Sequence, residues 1–156
     1  MMRTTAGIVS ALVIVLLGAG AAYAPYHTTP APPPTPSGQS GLAAAVAQAK
    51  VAAAHAGYAG EAGTVGAARE HLGHTLVCIE GPKGQNVNAA WDNPCQGMGN
   101  GVLPDLERAN ARASLIEKGK TADAAAAAAM KSNDLAQIKT SAKQVSTLMK
   151  EVADAK

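Results

Sequence analysis

Alanine is the residue that most constrains how this chain can fold. It accounts for 36 of the 156 residues, whereas phenylalanine is absent and the chain has one tryptophan and three tyrosines. A buried alanine removes little apolar area from water, so a stable core requires backbones that approach one another closely. Helices pack in this way more readily than β-sandwiches do. The composition therefore predicts an all-α protein.

The N-terminal segment has the features of an export signal. Arg3 precedes an apolar run over residues 6–24, and small residues follow the most hydrophobic part of that run. This order is typical of a secretory signal peptide, although a run of this length can also span a bilayer as an uncleaved anchor. Both interpretations of residues 1–24 predict a periplasmic or extracellular protein, either free or tethered to the inner membrane.

A proline-rich stretch follows at residues 25–41 and carries most of the prolines of the chain. It has too few apolar side chains to offset the entropy lost on ordering. Proline-rich composition favours the extended polyproline II conformation, which acts as a semi-rigid spacer. We therefore interpret residues 25–41 as a linker and expect the folded domain to comprise residues 42–156.

The spacing of apolar residues predicts two helices at the start of this domain. The first covers residues 42–57 and is expected to end at Gly57, where a glycine-rich segment begins. The second is capped by Thr64 and is expected to run to about Ile79. Their predicted buried faces are Leu42, Val46, Ala49 and Ala53 in the first helix, and Val65, Ala68, Leu72, Leu76 and Ile79 in the second.

The second half of the domain predicts a loop and two or three further helices. Residues 80–101 are rich in glycine, proline and asparagine, which suits turns. A third helix is expected from Pro104 to Gly119, and a short fourth helix after Thr121, with a break at Ser132. The last helix has the clearest amphipathic pattern, carried by Leu135, Ile138, Ala142, Val145, Met149 and Val152. Four or five antiparallel helices with short connections predict an up-down bundle.

The chain contains two cysteines, Cys78 and Cys95. In an exported protein such a pair predicts a disulfide, and closing a loop of about 18 residues would stabilise the fold by about 3 kcal/mol. The loop would then be tied at both ends and could pack its tryptophan, Trp91, over the domain. A zinc site of His71, His74, Cys78 and Cys95 is the competing interpretation, which the oxidising compartment disfavours.

Histidines on the second helix are the candidate metal ligands. His71 and His74 lie one turn apart on a face away from the predicted buried stripe, and Glu70 lies one turn before His74. His55, near the end of the first helix, is a further candidate. The spacing predicts weak binding of divalent copper, nickel or zinc by His71 and His74, with Glu70 as an auxiliary ligand. A solvated polar face without metal is the alternative.

Two segments within residues 46–74 resemble the small metal-binding protein family. They are VAQAKVAAAHAGYAGEA, from Val46, and AREHLGH, from Ala68. The resemblance implies an exported, alanine-rich and histidine-rich helical bundle that binds divalent metals such as copper in the periplasm. His55, His71 and His74 match histidine positions of that family, whereas Gln48 stands where a further histidine is expected.

Several function classes are disfavoured by composition and motifs. The formal net charge of +2 supplies no basic field for nucleic acid. Neither a nucleophile triad, nor paired carboxylates in an apolar setting, nor a phosphate-binding glycine motif is recognisable, so we expect no enzyme. The first hypothesis is a non-catalytic metal-binding protein. The second is a module that contacts an unidentified envelope protein through the disulfide-closed loop, using Asn86, Asn88, Trp91, Asn93 and Met98.

Overall fold

The computed structural model describes residues 41–156, which form five helices and no β-strand. The helices are α1 (Gly41–Glu61), α2 (Val65–Glu80), α3 (Val102–Arg108), α4 (Ala113–Lys131) and α5 (Leu135–Ala153). The prediction of an all-α domain is confirmed for this part of the chain, and Gly41 belongs to α1 instead of the linker. The predicted leader and the rest of the linker lie outside the described residues. Over residues 41–156, no helix has the length and apolarity needed to cross a membrane.

Helix α1 contacts α2, α3 and α5, and small side chains make these contacts close. Larger apolar residues of the other helices pack against a fully buried set of alanines: Ala45, Ala49, Ala52, Ala56 and Ala59. Because α1 has neighbours on several sides, its buried surface is wider than one stripe. The predicted stripe is therefore only partly correct, since Ala49 and Ala53 are buried whereas Leu42 and Val46 are half-buried.

The predicted end of α1 at Gly57 is wrong, because the helix continues to Glu61. Gly60 lies inside the helix where α5 passes close by, and a Cβ atom there would be 2.8 Å from Cγ of Lys143. The Lys143 ammonium also forms an ion pair of 3.0 Å with Glu61. Packing against α5 thus overrides the low helix propensity of glycine at this position.

Helix α2 begins as predicted. The Thr64 hydroxyl accepts a hydrogen bond of 3.2 Å from the Ala67 amide, and the helix ends at Glu80, followed by Gly81 with φ of 83°. Over residues 72–79, every residue except His74 is buried. The predicted stripe is largely confirmed, since Ala68, Leu72, Leu76 and Ile79 are buried and Val65 is half-buried. The buried surface of the second half of α2 is wider than this stripe, because α1, α4 and the following loop cover different faces of it.

The single helix expected from Pro104 to Gly119 is in fact parts of two helices. Helix α3 ends at Arg108 and α4 begins at Ala113. Gly119 lies inside α4, where a Cβ atom would be 2.7 Å from Cδ2 of Leu103, so this glycine allows α3 and α4 to pack closely.

Thr121 also lies inside α4, and its hydroxyl donates to the Glu117 carbonyl over 2.8 Å. The expected break between Gly119 and Thr121 is therefore wrong. The break expected at Ser132 is confirmed, since α4 ends at Lys131.

Helix α5 has the amphipathic character that its sequence predicts. Its amino end is capped by Asp134, whose carboxylate accepts hydrogen bonds of 2.8 Å from the Ala136 amide and 3.3 Å from the Gln137 amide. Leu135 is half-buried. The other residues of the predicted stripe are fully buried, namely Ile138, Ala142, Val145, Met149 and Val152.

A buried polar network ties α1 to the segment that leads into α3. Gln48 is 1% exposed and Asp105 is fully buried. The Gln48 side chain donates to the Asp105 carboxylate over 2.8 Å and accepts from the Gly101 amide over 2.8 Å. Asn100 and Arg108 complete the hydrogen bonds of that carboxylate. Because its polar groups are paired, the network holds the end of the loop without a large desolvation penalty.

Candidate metal centre

Three histidines from two helices converge at one place, and we call them the histidine cluster: His55 of α1 with His71 and His74 of α2. Each offers a ring nitrogen, and these nitrogens all lie within 4.8 Å of one another. The ring centroid of His55 is 4.9 Å from that of His74 and 5.7 Å from that of His71. The three side chains are therefore close enough to bind one metal ion.

The cluster follows from helical spacing and from a short connection. His71 and His74 lie three residues apart, so α2 presents both on the same face. Residues 62–64 join α1 to α2, and His55 and His71 lie about equally far from this connection. Packing of α1 against α2 then brings His55 beside His71 and His74.

The environment of the cluster leaves ring nitrogens without hydrogen-bond partners. All three histidines are half-buried, and the Nδ1 atom of each is shielded from solvent without a partner. A buried polar atom left unpaired costs about 1–3 kcal/mol, which a ligand at that atom would recover.

The charge state of His55 also suits metal binding. Its pKa is lowered from 6.5 to about 4, mainly by burial and further by repulsion from His74 and His71. His55 is therefore a neutral imidazole at neutral pH, which is the form that coordinates a metal ion.

Tyr58 is a neighbour of the cluster that the sequence analysis missed. Its ring centroid lies 5.8 Å from that of His55 and 5.4 Å from that of His71. The residue is 57% exposed, so the cluster reaches the protein surface beside it. The spacing of three residues between His55 and Tyr58 on α1 was the available signal for this proximity.

The other predicted ligands lie outside the cluster. Glu70 is exposed, and its carboxylate is not among the atoms that come together with the histidines. Cys78 and Cys95 form a disulfide with a Cα–Cα distance of 5.4 Å, which confirms their predicted pairing. Both cysteines are buried, and their sulfurs lack the thiolate that binds zinc. The alternative zinc site with two cysteines is therefore wrong.

The side chain of Trp91, in the disulfide-closed loop, packs onto α2. Its indole lies over Gly73, where a Cβ atom would be 2.9 Å from Cδ2 of Trp91. Both Trp91 and Met98 are half-buried against the core. Trp91 therefore packs over the domain, as expected for a loop that the disulfide ties at both ends.

The three asparagines of the predicted contact surface form hydrogen bonds within the loop region. The Asn86 side chain donates to the Glu80 carboxylate over 2.8 Å. The Asn88 side chain accepts from the Ala90 amide, and the Asn93 side chain accepts from the Cys95 amide, each over 2.9 Å. These contacts shape the turns of the loop, and Asn88 remains exposed.

A second titratable group, Asp123 of α4, lies beside Glu80 at the end of α2. The Oδ1 atom of Asp123 is buried and finds no hydrogen-bond donor while both carboxyl groups are ionised. Burial, a hydrogen bond with Glu80 and the charge of Glu80 raise the pKa of Asp123 to about 7. A proton on Asp123 supplies the hydrogen bond between the two carboxyl groups, so this environment favours the protonated form of Asp123.

Comparison with known proteins gives no match for this chain. No family model matches it, and no curated protein or solved structure matches it significantly. The resemblance of residues 46–74 to the small metal-binding protein family therefore stays a prediction. The histidine cluster is the feature from which we infer function.

Proposed function

We propose that this protein is an exported, non-catalytic helical protein that binds a divalent ion of copper, nickel or zinc at the histidine cluster. The observation that carries the proposal is the approach of three ring nitrogens, from His55, His71 and His74, to within 4.8 Å of one another. Imidazole nitrogen suits these borderline metals, whereas magnesium and calcium prefer oxygen ligands.

The dimensions of the cluster fit one metal ion after small side-chain rotations. Donor nitrogens about 2.0–2.1 Å from a tetrahedral ion lie about 3.3 Å from one another. Ring nitrogens within 4.8 Å of one another need only small movements to reach that spacing.

The architecture and compartment are part of the proposal. Contacts of α1 with α2 and α5, and of α4 with α5, support an antiparallel up-down bundle. The disulfide supports an oxidising compartment, and the apolar run at residues 6–24 supports export or anchoring in the inner membrane. We expect an ion, and no nucleic acid, as the ligand.

The test is titration calorimetry of the purified protein with Cu²⁺, Ni²⁺ and Zn²⁺ at about pH 7.5, where imidazole is neutral. The double substitution His71→Ala, His74→Ala is expected to abolish binding while circular dichroism shows that the helices remain. His27→Ala is the matched control, because His27 lies outside the described residues and the predicted site. Equal affinity in the wild type and the double variant, or no heat with any metal, would refute metal binding and favour the interaction module.

A further inference from the structure

The histidine cluster supplies three protein ligands, and no carboxylate or thiolate of residues 41–156 joins them. Among the histidine, cysteine, aspartate and glutamate side chains of residues 41–156, three come together within reach of one ion. The cysteines are joined to each other, and Glu61 is paired with Lys143 over 3.0 Å. Zinc and copper ions complete their coordination with at least a fourth donor. That donor therefore has to come from outside the cluster.

Charge determines which kind of donor is favoured. Three neutral imidazoles leave the full double charge of the ion uncompensated, and no carboxylate of the described residues belongs to the group. The histidines are half-buried, so water screens this charge only in part. An anion in the fourth position would lower the electrostatic energy more than a neutral donor would.

The surface next to the cluster allows a small molecule to reach the ion. Tyr58 contacts the rings of His55 and His71 and is itself 57% exposed. One side of the cluster is therefore bounded by a solvent-exposed aromatic ring. Metal sites with three protein ligands and access to solvent hold water or an exchangeable ligand in the remaining position.

We propose that the histidine cluster, once loaded with the metal proposed above, keeps one open coordination position beside Tyr58 that binds a small exogenous anion. The anion replaces a metal-bound water and coordinates through a single nitrogen or oxygen atom. The ligand class is that of azide, cyanate and small carboxylates, which fit one position and supply one negative charge.

Cobalt(II) and azide provide the test, because the visible absorption of Co²⁺ reports its coordination. The full-length protein is loaded with Co²⁺ in a buffer without coordinating anions and is then titrated with azide. We expect a saturable change in the visible spectrum with one azide bound per cobalt. A cobalt spectrum that azide leaves unchanged would overturn the inference.

Two conservative variants identify a protein ligand in the fourth position, if there is one. Glu70→Gln removes the carboxylate closest in sequence to the cluster, and Tyr58→Phe removes only the phenol hydroxyl. We expect both variants to bind azide as the wild type does. Azide binding that appears only in Glu70→Gln, or only in Tyr58→Phe, would show that the substituted residue fills the position in the wild type, and would also overturn the inference.

The same experiment separates this inference from the proposed function. If none of Co²⁺, Cu²⁺, Ni²⁺ and Zn²⁺ binds to the wild type, the metal-binding proposal fails and the open position fails with it. If the metal binds, and His71→Ala, His74→Ala abolishes that binding while azide has no effect on the wild type, only the open position is refuted. Electron paramagnetic resonance of the Cu²⁺ protein with and without azide is an independent second readout.

Discussion

The carboxyl pair of Asp123 and Glu80 gives a prediction about stability that is independent of metal binding. The raised pKa of Asp123 favours a proton on this carboxyl group, which can donate it to Glu80; the Glu80 oxygens also accept hydrogen bonds of 3.0 Å and 2.8 Å from Asn86 at the start of the loop. Substitution of Asp123→Asn introduces an amide of the same shape that can donate to Glu80 at every pH. The variant therefore keeps the hydrogen bond and removes the titration.

The sign of the effect follows from the raised pKa of Asp123. This pKa is raised from 3.8 to about 7 in the folded protein. Between these pH values the native state holds a proton that the unfolded chain has released, so the free energy of unfolding falls as pH rises from about 4 to about 7. A shift of about 3 units corresponds to a ceiling of about 4 kcal/mol. Because Asp123 is only half-buried, screening by solvent reduces the expected effect to about 1–2 kcal/mol.

Urea unfolding followed by far-ultraviolet circular dichroism, in the presence of a chelator, measures this effect. We expect Asp123→Asn to be more stable than the wild type by about 1–2 kcal/mol at about pH 8 and nearly equal to it at about pH 4. Asp92→Asn, at an exposed loop position, is the control with the same change in charge. If the variant is less stable than the wild type at pH 8, or if the difference in stability between them does not depend on pH, the raised pKa of Asp123 is refuted.

Three further predictions concern His55, Gly73 and the disulfide. The pKa of His55 is lowered to about 4 in the folded protein. Between about pH 6.5 and pH 4, this histidine is therefore protonated in the unfolded chain and neutral in the native state. The free energy of unfolding of the metal-free protein should thus fall as pH drops through this range, and His55→Gln should weaken that fall in urea titrations. Gly73→Ala places a Cβ atom 2.9 Å from the Trp91 ring, so we expect the free energy of unfolding to fall by about 1–3 kcal/mol and the tryptophan emission to shift to the red. An unshifted emission spectrum would contradict the packing of Trp91 on Gly73. Thiol titration of the denatured, non-reduced protein should find no free cysteine. The double substitution Cys78→Ala, Cys95→Ala should lower the free energy of unfolding by about 3 kcal/mol. Unchanged stability of this variant would contradict the stabilising role of the disulfide.

Features that depend on neighbours along the chain were predictable from the sequence. The Thr64 cap and the α5 stripe from Ile138 to Val152 depend on residues within one or a few helical turns, and the structure confirms both. The spacing of His71 and His74 likewise needs nothing beyond the geometry of one helix. The pairing of Cys78 with Cys95 followed because no other cysteine exists in the chain. Short-range interactions of this kind leave a direct pattern in the order of residues.

Features that depend on how two helices meet left no such pattern. Gly60 and Gly119 lie within helices although glycine has low helix propensity. At each position a side chain of another helix occupies the space that a Cβ atom would need: Lys143 beside Gly60, and Leu103 beside Gly119. His55 joins the cluster, and Glu70 does not, because the rotation of α1 about its own axis against α2 sets which side chains meet. Asp123 and Glu80 become neighbours because α4 packs against α2. Side chains distant in sequence share an environment only after the helices pack, and close packing of alanine faces sets the distances and burial on which their chemistry depends.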